Sequence, residues 1–308
     1  MVKDLTEGQP GRALALFSIP SLISVVFQQL YNMADNVVAG QFIGDDALSA
    51  VSVSYPVTMI YMAVALGINI GCSVVISQLF GAKRMERMKT AVSTSLISTA
   101  ALALALTALG LIFCGPLLRL LNTPENIMAP TSQYLRIYTC GLLFIFIYNT
   151  CTGIFTALGD TMTPLIFLVV SSLSNIGLDI VFVVYTDMGV AGLALATLLC
   201  QAVAAIISFL VLLARLGRIP SEKWGYFSRP LLQTISTLAI PGILQKSFVS
   251  VGNLMVQGLV NSYEATVPGI IGGFSSATKL IYLVVYVNSA MGSAVASFAA
   301  QNNGANKF

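Results

Sequence analysis

Residues 91–114 read AVSTSLISTAALALALTALGLIFC, a run with no charge, no proline and no histidine. An α-helix of about twenty apolar residues crosses the ~30 Å hydrocarbon core of a bilayer, and this run is long enough to do so. A spanning β-strand would instead show about ten residues of strict alternation, whereas here the apolar character is continuous. The rest of the chain has the same pattern. Of its 308 residues 56% are hydrophobic and 9% charged, with a mean hydropathy of +0.87, against roughly 25% charged in soluble domains. Further apolar runs cover 13–39, 48–80, 131–158, 165–185, 190–214, 231–262 and 267–300. The sequence therefore predicts an all-α, polytopic integral membrane protein with about eight transmembrane helices.

The charges orient these spans, because Lys and Arg in short loops mark the cytoplasmic side. With the N-terminus inside, the inner segments hold Lys3, Arg12, Lys83, Arg84, Arg87, Lys89, Arg215, Arg218, Lys223, Arg229 and Lys307. The outer ones hold Asp45, Asp46, Arg119, Glu125, Asp187 and Glu264. The expected topology is multi-pass with a cytoplasmic N-terminus. The polar start MVKDLTEGQPGR has no small-residue cleavage site after the first apolar run, so that run is expected to stay as a helix. The same inside bias accounts for the basic loop GAKRMERMK without nucleic acid. Cys72, Cys114, Cys140, Cys151 and Cys200 lie in apolar runs without metal-ligand spacing and read as small buried hydrophobes. With no histidine in the chain, any proton chemistry falls to carboxylates.

Polar residues inside such spans are costly and point to function. In QQLYNMADN, residues 28–36, Gln28, Asn32 and Asp35 share one helical face. Pro20, about four turns earlier at 3.6 residues per turn, removes a backbone hydrogen bond; either a neighbouring helix accommodates it or the helix bends there. The second helix has a glycine-rich centre, GINIGCS, suited to close packing. The connection CGPLLRLLNTPENIMAP is punctuated by prolines and is expected to lie along the membrane surface. Tyr134 and Tyr138 in YLRIY are interfacial anchors or the wall of a cavity. ALGDTMTP reads as a tight turn, with Gly159 and Pro164 suited to a helix stop and restart. In SSLSNIGLDIVF, Asn175 and Asp179 share a face; the alternative for Asp179 is snorkelling to the outer interface near Tyr185. Thr197 and Gln201 come next, on a sixth helix with small residues on one face.

The charged segment RLGRIPSEKWGYFSRP reads as a linker, and the sequence beyond it resembles the beginning of the chain. IPGILQ echoes IPSLIS, pairing Pro241 with Pro20, and FAAQNNGANK echoes VISQLFGAKR, pairing Gln301 with Gln78. The expected organisation is a six-helix transmembrane bundle over 1–218, then the linker and the first two helices of a second, parallel repeat over 219–308. That second bundle is incomplete, so four further helices are expected from a longer gene product or from another chain.

The order and spacing of QQLYNMADNVVAGQFIG, ISQLFGAKR, YLRIY, ALGDTMTPL, NIGLDIVF, MGVAGLALAT and AAQNNGA resemble the bacterial branch of the multidrug and toxic compound extrusion (MATE) family, from about residue 10 onward. The resemblance implies a cation-coupled antiporter of the bacterial plasma membrane. Such a protein exports small amphipathic, often cationic, compounds through a cleft between two six-helix bundles, with a proton or sodium as coupling ion and no other cofactor. It places the coupling site on Asp35, Asn175, Asp179 and Thr197, with Tyr134 at the family's tyrosine, Pro20 at the proline of the bending first helix, and Lys279 where this branch often carries a lysine. Gln28, Asn32, Gln245 and Lys279 are candidate cleft residues.

Two carboxylates in a low-dielectric pocket cannot both ionise cheaply. Asp35 and Asp179 are therefore expected to share a proton, or a sodium ion held with the oxygens of Asn175 and Thr197. One competing function is a lipid-linked oligosaccharide flippase of similar fold. It would need several basic residues in its cleft, and the helices offer only Arg136, Lys246 and Lys279. The other is a non-transporting membrane subunit. Enzymatic chemistry has no support, since no nucleophile with a base at useful spacing and no phosphate loop is present.

Overall fold

A computed structural model describes residues 4–7, 9–42, 45–121, 123, 125–186, 188–221, 224–262 and 270–307. The side chains of 30–49, 52 and 126, and several on the last two helices, lie outside that description. The described residues are helical, without strands: α1 (Pro10–Phe42), α2 (Asp45–Gly81), α3 (Met85–Leu120), α4 (Glu125–Cys140), α5 (Leu142–Ala157), α6 (Met162–Ile180), α7 (Gly189–Arg218), α8 (Arg229–Ser262) and α9 (Ile270–Gly304). Among them five spans are long and apolar enough to cross a bilayer: Pro10–Gln29, Val53–Gly81, Met85–Leu120, Met162–Tyr185 and Gly189–Arg218. The bent pair α4 and α5 makes a sixth.

Two stretches differ from the sequence expectation. The apolar run 131–158 is not one helix, because the chain turns by 47° between α4 and α5. Gly141 sits at the break, a residue that gives little helical stability, and its N–H is shared between the Ile137 and Tyr138 carbonyls. The proline-rich connection does not lie along the surface over its whole length. Instead α3 continues through Pro116 to Leu120, because Cys114 and Leu118, one turn apart, are buried against the neighbouring helices. The Thr123 N–H and hydroxyl then cap the Leu118 carbonyl.

α2 is the central helix, packed against α3, α4, α5, α8 and α9, while α1 packs on α6 and α9. The small residues of GINIGCS allow this. A Cβ on Gly67 would overlap Ile243, and one on Gly71 would meet the Ile235 carbonyl and Ala239, so α8 crosses α2 backbone to backbone. Two apolar clusters fill the interior, one around Ile76, Met88, Phe155 and Leu158, the other around Tyr61, Leu118, Leu142 and Phe146.

Candidate functional site

The site is built on α6. Its start is fixed by the ALGDTMTP turn, where Gly159 adopts φ 77°. Asp160, 2% exposed, accepts the Thr163 N–H at 3.1 Å and the Thr163 hydroxyl at 2.8 Å. Arg215, in the last turn of α7, forms an ion pair with Asp160 Oδ2. It also donates to Thr163 Oγ1 at 2.8 Å and lies 5.5 Å from the centre of the Phe155 ring. Burial pushes the Asp160 carboxyl up, but the Thr163 N–H and hydroxyl and the Arg215 guanidinium outweigh it and hold the pKa below the ordinary carboxylate value. The beginning of α6 is thereby tied to the end of α7.

From this anchor α6 presents a polar stripe to the interior. Ser172, Asn175 and Asp179, at i, i+3 and i+7, are 4%, 2% and 1% exposed. The opposite face, with Ile166, Val170 and Leu173, is exposed and apolar, as a lipid-facing surface should be. A snorkelling carboxylate would be accessible, and Asp179 is not. Directly after it the helix widens into a π-helical turn, Val181–Tyr185, a feature found often beside functional residues. α7 approaches this turn closely, since a Cβ on Gly192 would press on Phe182.

Tyr134 of α4 joins this region. It packs with Val51 against Val183, one turn beyond Asp179, and Leu193, one turn before Thr197. Its ring stacks on Tyr138 at 6.2 Å and 21°. Thr197 is half-buried on α7, and Pro20 is buried inside α1, which continues as one helix through it. The candidate cleft residues Gln28 and Gln245 are exposed on α1 and α8, unlike the buried pair. The side chains of Asn32, Asp35 and Lys279 lie outside the described residues; the α1 backbone that carries Asn32 and Asp35 belongs to a helix packed along α6. Among the described residues no three Asp, Glu, Cys or His side chains stand together as a metal cluster. The buried donors here are a carboxylate, an amide and a hydroxyl, hard oxygens that suit a proton or a small alkali cation.

A second constellation, not singled out as a site by the sequence, lies where α2 and α9 end. The Lys83 and Arg84 N–H groups bond to the Phe80 and Leu79 carbonyls, and those of Asn306 and Lys307 bond to Asn303 and Asn302. Both helices thus close with the same reversed cap, and Lys83 and Asn306 share the same left-handed φ of 55°. The caps interlock: a Cβ on Gly81 would overlap the Gln301 carbonyl, and one on Gly304 the Gln78 carbonyl. Gln301 is fully buried, donating to the Ala157 carbonyl at 2.7 Å and accepting the Leu5 N–H at 3.0 Å. Thr161 donates to the Phe17 carbonyl at 3.0 Å. These contacts tie α1, α2, α5 and α9 together at this end of the molecule.

A bundle of apolar helices carrying a buried carboxylate and amide on one inward stripe defines a polytopic membrane protein with a polar site inside the apolar layer. The chain belongs to the MatE family, whose pattern it matches over residues 20–181, in agreement with the resemblance read from its motifs. It is 31% identical to the probable multidrug resistance protein YoeA of Bacillus subtilis, over 96% of this chain and 65% of the relative. Among solved structures, a MOP superfamily transporter from Pyrococcus furiosus superposes with a TM-score of 0.89 at 27% identity, over 98% of this chain and 67% of that one. An outward-facing conformation of a multidrug resistance MATE family transporter gives 0.89 at 26% identity, over 98% and 66%. The chain thus spans about two thirds of the length of the relatives it matches.

Proposed function

We propose that this protein works as a cation-coupled antiporter that exports amphipathic or cationic compounds across the bacterial plasma membrane, N-terminus inside, with a proton or sodium as coupling ion. The observation that carries the reading is the burial of Asn175 and Asp179 at 2% and 1% exposure inside an apolar span. A bare carboxylate there is expensive, so Asp179 favours a bound proton or cation. With Asp35 from the adjoining α1 and the Thr197 hydroxyl it forms a site whose occupancy biases the packing of α1 around Pro20. Tyr134 closes the outer side of that site. Residues 1–218 act as one bundle, and 219–308 contribute helices of the facing one. The matching caps of α2 and α9 support that division, as does the identity of Gly81 and Gly304 at the same offset as Gln78 and Gln301.

In this reading the interlocked caps close the cytoplasmic side, and export requires them to separate. Ser73 of α2 and Ser297 of α9 face each other with hydroxyl oxygens 3.4 Å apart, both buried. In a background with the native cysteines replaced, Ser73→Cys with Ser297→Cys should form a disulfide on oxidation and stop export in everted vesicles, with recovery on reduction. Export that continued with the crosslink complete by thiol titration would show that α2 and α9 do not part during transport. The function itself is tested by substrate-evoked release of protons or sodium from proteoliposomes containing a version of the protein with a complete second bundle. No ion movement with any amphipathic cation would refute antiport.

A further inference from the structure

The segment between α7 and α8 is strapped to α3. The Gly225 N–H donates to Thr90 Oγ1 at 3.2 Å and the Ser228 N–H to Thr94 Oγ1 at 3.0 Å. Ser93 returns a bond to the Gly225 carbonyl at 3.4 Å, and Lys89 Nζ donates to the Ile219 carbonyl at 2.7 Å. With its backbone held in this way, the segment leaves three aromatic side chains outside. Trp224, Tyr226 and Phe227 are 38%, 76% and 51% exposed, and the Trp224 and Tyr226 rings lie 5.4 Å apart at 57°. Nothing in the transport reading uses them.

The depth of this strap is set by α3. Its 36 residues span ~54 Å at 1.5 Å per residue, well beyond the ~30 Å hydrocarbon core. If the excess is shared between the two ends, about 12 Å of α3 stands outside the core on this side. Thr90 and Thr94 lie ~8 and ~14 Å along the helix from Met85, so the strap straddles the boundary between headgroups and acyl chains. Basic groups flank the strap. Arg87 shares the α3 face that carries Thr90 and Thr94, Arg218 ends α7 and Arg229 opens α8, all three exposed. Glu86 is the acidic neighbour on α3, and in the sequence Glu222 is offset by the adjacent Lys223.

We propose that the strap 224–229, with Arg87 and Arg218, is a docking surface for the headgroup of an anionic phospholipid. Indole and phenol rings partition to the interface whatever the lipid charge. The arginines add selectivity, because the planar guanidinium matches a phosphate and is attracted to an anionic surface. A soluble protein partner is the competing occupant. The depth of the strap favours lipid, since a partner would have to enter the headgroup layer to reach Ser228.

The chain supplies its own probe, because Trp224 is its single tryptophan. The full chain is reconstituted in mixed phosphatidylcholine and phosphatidylglycerol vesicles, with bromine carried on the acyl chains of one lipid or the other at equal proportions. Brominated phosphatidylglycerol should quench Trp224 fluorescence roughly two- to fivefold more than brominated phosphatidylcholine, the enrichment expected for one or two arginines at headgroup level. Arg87→Gln, Arg218→Gln and Arg229→Gln together should bring the two into line while quenching persists. Equal quenching by both lipids in the unaltered protein would reduce the strap to an unselective aromatic anchor and overturn the proposal. Absence of quenching by either would place Trp224 off the bilayer and favour a protein partner. Neither readout involves export, so the proposal stands or falls apart from the transport reading.

Discussion

Asp179→Asn is expected to lower cation-driven export by roughly tenfold or more while leaving the protein folded. Hydrogen bonds and contacts to a charged group are worth about 1.5–3 kcal/mol, and each 1.4 kcal/mol is a factor of ten in rate. The amide fills the same space and still hydrogen-bonds, but it can neither take up a proton nor neutralise a cation. Because Asp179 is 1% exposed, water cannot substitute for the lost charge. Thr197→Ala should have a milder effect, since it removes a neutral oxygen from a half-buried position. Everted-vesicle export with expression matched by quantitative blotting separates loss of coupling from loss of protein. An Asp179→Asn variant that exported normally would make the stripe on α6 a packing feature.

The second large effect is on stability. Arg215→Ala should destabilise the protein by about 3 kcal/mol, because removing one partner of a buried ion pair leaves the other charge uncompensated. Asp160 is that other charge, with its side chain 1% exposed against 24% for Arg215. Combining Arg215→Met with Asp160→Asn should recover much of the loss, since a buried pair exchanged for neutral groups of similar volume is often tolerated. The pair also makes a pH prediction. The folded-state pKa of Asp160 is depressed, so its contribution is present above the unfolded value of about 3.9 and is lost as pH falls through the lower folded value. The acid limb of thermal unfolding in detergent should flatten in Asp160→Asn. Equal Tm for Arg215→Ala and the unaltered protein would class the pair with weak surface ion pairs.

Much of this was legible in the sequence, and the parts that were not have physical reasons. Apolar runs give the spans because a bilayer demands length and hydrophobicity together. The spacing of Asn175 and Asp179 gives their shared face because helical periodicity is fixed. The glycines of GINIGCS read as a close-packing centre, and α8 crosses α2 there. The break at Gly141 has no such signature, because one glycine in an apolar run is compatible with a straight helix or a bent one, and tertiary packing decides. Pro116 suggested an end to α3, yet the buried side chain of Leu118 carried the helix past it. The π-helical turn after Asp179 lies against α7 at Gly192, a contact between segments that local sequence does not show. Arg215 was legible only as an inside charge, and its pairing with Asp160 joins residues 55 positions apart. Ser172 had a detectable signal, since it sits one helical turn before Asn175 on the same stripe. Gln78 and Gln301 were visible as matching landmarks, but their interlocked caps required the backbone.

We propose that Asp35 of α1 and Asp179 of α6 serve one cation site. The most direct test is cation-driven export by Asp35→Asn measured beside Asp179→Asn in the same everted vesicles. Either substitution alone should reduce export by the same tenfold or greater factor, because each removes half of a shared site. Export left intact in Asp35→Asn, with Asp179→Asn inactive, would contradict it.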